Sequence, residues 1–161
     1  MKNVLIVMCC VASVLIMSAC NQTKNIENEQ VSAPLFPQGQ KVTNGNFTGT
    51  VYLHMLVAAD SVNPTAVGNV TFEPGARSNW HYHPAGQILL VTDGEGYYQE
   101  KGQSKRIIRK GDVVKCPPHT HHWHGASADK TFVQLAVTNN HLGATVWLEA
   151  VTDKEYYGQE D

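Results

Sequence analysis

The chain has 161 residues, 12 Lys and Arg against 14 Asp and Glu, and a formal net charge of −2. That balance leaves no basic footprint for nucleic acid, and the length suits one modest domain with a single core behind any leader segment.

The first predicted element is the leader. Lys2, an apolar run from Val4 to Met17 and then Ser18-Ala19-Cys20 form a charged start, a core of about fourteen residues and a small-residue cleavage site. The run is shorter than the roughly 20 residues of a spanning helix. A cysteine placed directly after Ser-Ala resembles a bacterial lipoprotein signal, with Met17 where that pattern usually carries Leu. The resemblance implies a signal over 1–19, a lipidated Cys20 on a bacterial membrane, and a domain in the periplasm or on the cell surface. Cys9 and Cys10 leave with the signal, so Cys20 and Cys116 offer no internal disulfide framework. Cys116 reads as a small buried hydrophobe. Residues 20–41, rich in Asn, Gln and Glu with Pro34 and Pro37, read as a flexible tether ahead of a domain at 42–157.

Strands are expected at 47–57, 68–72, 78–83, 87–92, 96–100, 105–109, 113–116, 122–126 and 131–138, with helical potential only at 144–157. Short strands with Gly, Pro and Asn turns about every ten residues indicate an all-β barrel or sandwich. Asp93-Gly94 reads as a turn and Lys101-Gly102 as the tip of a hairpin. The basic residues around that tip (Lys101, Lys105, Arg106, Arg109, Lys110) read as a solvated hairpin face. Ile88 to Val91 is apolar on both faces, which predicts a second cover such as another subunit, and Trp80 and Tyr82 fit that picture. A homodimer is the expectation.

Six of the eight histidines fall in two clusters, His81-Tyr-His83 and His119-Thr-His121-His122-Trp123-His124. Imidazole is the commonest ligand for transition metals, and residues i and i+2 of a strand project from one face. His81 and His83 can therefore share an ion while Trp80 and Tyr82 point away. His122 and His124 share a face in the same manner, with His121 and Trp123 on the other. His54 and Arg77 read as structural.

The two clusters sit in patterns that resemble the motifs of the cupin superfamily. Gly75, His81-x-His83, Gln87 and Gly94 keep every spacing of the first motif, with Gln in place of Glu. Gly111, Pro117 and His122 keep the second, with His119 in the place of a Gly and Ala126 in that of an Asn. Thr71-Phe-Glu-Pro-Gly-Ala-Arg77, Gly86-Gln87 and His122-Trp-His-Gly-Ala126 are similar to small single-domain cupins. That group includes manganese-dependent hydroxynitrile lyases and cupins associated with carboxymuconolactone decarboxylase-like enzymes.

The resemblance implies a cupin-type double-stranded β-helix, a jelly-roll barrel with a short C-terminal helical segment. It also implies one divalent transition metal, manganese foremost with Fe, Ni, Co, Cu or Zn compatible, on His81, His83, Gln87 and His122. His124 then lies beside the ion as general base or acid. Gln134 departs from the lyase members, which carry another pocket histidine there.

Three imidazoles and one amide leave the ion's charge uncompensated, which favours Lewis-acid chemistry on a small carbonyl or hydroxy compound. A cupin dioxygenase and a non-catalytic lipid-anchored binding module are the competing readings. Substrate size is expected to be set by apolar lining residues such as Val70, Met55 and Leu89.

Overall fold

The computed structural model describes residues 33–158; the expected signal at 1–19 and lipidation at Cys20 lie outside them. Twelve strands make up a curled antiparallel half-barrel with one short helix near the C-terminus. The strands are β1 (Gln40–Lys41), β2 (Phe47–Thr48), β3 (Val51–Val57), β4 (Thr65–Phe72), β5 (Arg77–Ser78) and β6 (His81–Tyr82). They continue with β7 (Gln87–Glu100), β8 (Arg106–Arg109), β9 (Val113–Cys116), β10 (His122–Ala126), β11 (Phe132–Asn139) and β12 (Val146–Trp147). The helix α1 spans Asp153–Tyr157.

β7 joins two sheets. Its first half lies between β11 and β9 in a sheet that runs on through β4, β3 and β1. Its second half lies between β8 and β10, and β10 continues to β5 and β6. The sequence suggested two strands split by an Asp93-Gly94 turn. Instead the strand runs through, because Thr92 bulges out of the pairing with β11: Val133 sits opposite Asp93 and Gln134 opposite Val91. Gly94 takes φ 73°, and a β-carbon there would run into the Thr131 carbonyl, so the bend requires glycine.

Alternation along the strands fills the interior. Val51, Val70, Phe72, Leu89, Val91 and Phe132 are all buried in one core cluster. The hairpin β7–β8 forms as expected, and its basic residues are engaged: Arg109 meets Glu95 at 2.8 Å and Lys101 meets Glu149 at 3.0 Å. Cys116 is buried and free.

Both ends of the domain differ from expectation. The tether read to residue 41 is docked before it ends, since Gln40 and Lys41 pair with Leu53 and Tyr52 and Asn69 Nδ2 donates to the Pro37 carbonyl at 3.0 Å. The helix expected over 144–157 forms only at its end, because Val146–Trp147 pairs with β6. α1 is a single turn with a full capping box. Thr152 Oγ1 accepts from Glu155 N, Thr152 N donates to Glu155 Oε2, and Gly158 closes it at φ 68°.

The helix supplies the cover for Trp80, which joins Trp123, Val151 and Tyr156 in a second core cluster. Trp80 therefore needs no second subunit. Arg77 latches this corner: its guanidinium donates twice to the Val151 carbonyl at 3.2 and 3.1 Å, pairs with Asp153 at 2.6 Å and lies over the Tyr156 ring. Arg77 is 4% exposed, so its removal strands a carbonyl that water reaches poorly, whereas Asp153 faces solvent. We expect Arg77→Met to lower unfolding free energy in urea by about 2–4 kcal/mol. Asp153→Asn should cost under about 1 kcal/mol; equal losses would refute the latch.

Candidate metal centre

The site is assembled where β6 and β10 pair directly, His81 opposite His122. His83 follows β6, Gln87 opens β7, and His122 and His124 share the inner face of β10. The donor atoms of His81, His83 and His122 lie within 4.8 Å of one another, all three residues buried. This three-histidine group could hold a metal ion.

Each ring is held from behind. His81 Nδ1 donates to the Asn79 carbonyl at 2.9 Å, and His122 Nδ1 donates to the Thr120 carbonyl at 2.8 Å. A carbonyl only accepts, so both rings carry their proton at Nδ1 and keep a lone pair at Nε2. His83 Nδ1 meets the Thr145 hydroxyl at 3.1 Å, which can accept in the same manner. Gln87 Nε2 donates to Thr138 Oγ1 at 2.9 Å, turning Oε1 away from that partner. His83 Nε2, His122 Nε2 and Gln87 Oε1 are then buried with no hydrogen-bond partner. Buried acceptors are rarely left so, and a cation satisfies them together. The donor set fits a divalent transition metal.

Electrostatics keep the lone pairs available. Burial, reinforced by His122 and His124, holds the His81 imidazole well below its ordinary value. Burial and His122 push His83 down to about 4, and burial lowers His122 as well. Burial again, with His122 and His83 near, puts His124 well below the usual histidine range. No carboxylate lines the cavity among the described residues.

The cavity in front of His81, His83 and His124 has a volume of about 260 Å³ and is walled by Phe47, Leu53, Met55, Val70, Ala136 and Trp147. Val70 and Met55 line it as expected. Leu89 does not: it is fully buried in the core and forms no part of the wall. His124 is in the cavity but outside the three-histidine group. Its Nδ1 meets Gln134 Nε2 at 2.9 Å.

The other candidates lie elsewhere. His119 is exposed at φ 60°, taking the backbone conformation of the glycine it replaces. His121 stacks on Tyr82 at 5.1 Å, and Trp123 is buried with its indole N–H on Gln99. His54 lies between Leu53 and Met55, two residues of the cavity wall, and so faces the opposite side of β3. The sequence reading passed over Thr138, Thr145, Phe47 and Trp147. Thr138 and Trp147 are placed by register against Gln87 and His81, Thr145 by its contact with His83 and Phe47 by its pairing with Ser78, none of which is local in the sequence.

A pH dependence follows for metal-free protein. Unfolded histidines take up protons near 6.5, while His83 resists until about 4. Between those values the unfolded chain binds more protons, so stability is at its plateau above about 6.5 and declines as the pH falls toward 4. Thermal melts of chelator-treated protein should show that decline, and His83→Gln should flatten it; identical slopes would contradict the assignment.

Residues 68–138 match the cupin domain family model. An (R)-mandelonitrile lyase of Granulicella tundricola is 45% identical over 111 residues, covering 68% of this chain and 85% of that protein. The crystal structure of a cupin-like protein from Thermotoga maritima superposes with a TM-score of 0.76 at 48% identity, over 78% of this chain and 96% of that one. A DMSP lyase of Ruegeria pomeroyi shares the fold at 22% identity and a TM-score of 0.58, over 71% and 64% of the two chains. With both histidine motifs in register and nearly half of the aligned residues identical to a lyase-named relative, the chain belongs to the cupin family.

Proposed function

We propose that the protein is a metal-dependent, lyase-like cupin enzyme acting on a small carbonyl or hydroxy compound. In this reading His81, His83, His122 and Gln87 hold one divalent ion, manganese foremost. The observation that carries it is the set of buried acceptor atoms without partners on His83, His122 and Gln87, beside a cavity lined by no carboxylate. Identity to a protein named (R)-mandelonitrile lyase supports the lyase class.

A bound ion supplies Lewis acidity to an oxygen of the substrate. The residues do the rest. Four neutral donors leave the cavity positive once loaded, which favours an anionic or strongly polarised oxygen and disfavours the high-valent states that oxygen activation needs. Phe47, Val70 and Trp147 exclude water from the carbon skeleton, and about 260 Å³ limits it to a small molecule. Thr145 and Thr138 fix the orientations of His83 and Gln87.

Elemental analysis of the purified protein should find about one equivalent of a divalent transition metal. His122→Ala should lose the metal and any turnover in a screen of small hydroxy and carbonyl compounds. Oxygen consumption by iron-loaded protein would favour a dioxygenase instead. Gln87→Glu should tighten metal binding by at least about tenfold and weaken anion binding, since a unit charge about 4 Å away is worth about 4 kcal/mol before desolvation. Unchanged anion affinity would refute the charge argument.

We also propose a homodimer through the outer face of β7. Ile88 is 43% and Val113 62% exposed, and Val113 pairs with Leu90, so the three share one side of the sheet. Leu135 and Val137 extend that side on β11. Sedimentation should give a dimer that Leu90→Lys dissociates; a wild-type monomer at micromolar concentration would exclude it.

A further inference from the structure

We propose that Gln134 is a positioning residue that fixes His124 as a hydrogen-bond donor, so that the cavity takes a small ligand presenting an acceptor atom, a carboxylate or carbonyl oxygen, to His124 Nε2–H. The inference deepens the metal-centre reading and rests on it for the place where the ligand sits.

Gln134 is fully buried on β11, opposite Val70 on one side and Val91 on the other, at the bulge in the β7–β11 pairing. Its amide nitrogen is 2.9 Å from His124 Nδ1. An amide nitrogen only donates, so Nδ1 must be the bare nitrogen and the ring's proton sits on Nε2. This is opposite to His81 and His122, whose Nδ1 atoms donate to backbone carbonyls. Three features hold the residue in place. Its backbone N–H donates to Ser78 Oγ at 3.2 Å, Phe72 packs edge-on at 5.7 Å, and His81 lies 5.2 Å away. Nε2 is buried without a partner.

A ring N–H cannot ligate a cation, so this tautomer keeps His124 beside the three-histidine group rather than in it. Nor can it serve as a base, because its one lone pair is occupied by Gln134. It can lend a hydrogen bond to an oxygen on which charge accumulates. The ligand class follows: a small compound with an acceptor oxygen, its apolar portion against Phe47 and Trp147.

The test is the protonation pattern of His124 in two-bond proton–nitrogen NMR spectra, with His124→Phe for assignment. Wild-type protein, metal-free and zinc-loaded, should show Nε2 protonated and Nδ1 bare. Gln134→Glu, which can only accept there, should reverse the pattern. Gln134→Leu should mix the two forms and weaken formate binding to zinc-loaded protein about tenfold, with zinc affinity within twofold. A proton on Nδ1 in the wild type overturns the proposal, as does Gln134→Leu with unaltered tautomer and formate affinity. Should Gln134→Glu not fold, the wild-type and Leu spectra still decide. Failure to bind zinc would defeat the metal-centre reading alone, since the metal-free spectrum reports the tautomer independently.

Discussion

The site depends on two hydrogen bonds that do not face it. Asn79 and Thr120 present backbone carbonyls to the Nδ1 atoms of His81 and His122, and those carbonyls decide which nitrogen faces the cavity. Were either ring to turn over, a proton would occupy the place of a lone pair, and the group could not close on a cation. Backbone acceptors suit this task because they neither titrate nor rotate independently of the strands. Burial does the complementary work by disfavouring the charged ring, and on His122 it outweighs the opposing pull of Glu100, so the lone pairs persist at neutral pH.

The fold gathers the side chains of the site by joining two sheets at β7. The bulge at Thr92 lets one strand serve both sheets, which brings Gln87 at its start and the β10 histidines, paired to its second half, around one cavity. The corner sealed by Arg77, Tyr156 and the two tryptophans lies behind β6 and β10. Tyr156 hydroxyl donates to the Ala126 carbonyl at 2.8 Å, at the end of the strand that carries His122 and His124. The small helix thus braces the strand on which the site depends, and its capping box keeps so short an element defined.

Much of this was legible in the sequence because period-two alternation is local. His81 and His83, or His122 and His124, declare a common face without knowledge of the partner strand, and motif spacing supplied which strands meet. Asp93-Gly94 was misleading for a physical reason: Asp-Gly is a strong turn signal, and only the pairing of both residues with β11 past the Thr92 bulge keeps them within one strand. Thr138 and Thr145 could not be found, since a threonine gains a role only through register with Gln87 or proximity to His83. Leu89 was misplaced because it shares the inner face of β7 with Gln87, and nothing local in the sequence tells which part of that face lines the cavity and which packs into the core. The docked segment from Pro37 to Lys41 was missed because two paired residues carry no periodicity.

Gln134 shows how a family likeness and an individual chemistry can part company. The motif positions speak for a metal site, and they do so whatever occupies position 134. What a bound molecule meets beside the three-histidine group is governed by His124, and that ring answers to the side chain behind it. With an amide donor there, the imidazole faces the cavity through N–H; with a carboxylate, or a ring presenting an acceptor, it would face it through a lone pair. A single change at 134, with the three-histidine group untouched, would therefore give the cavity the opposite hydrogen-bonding character.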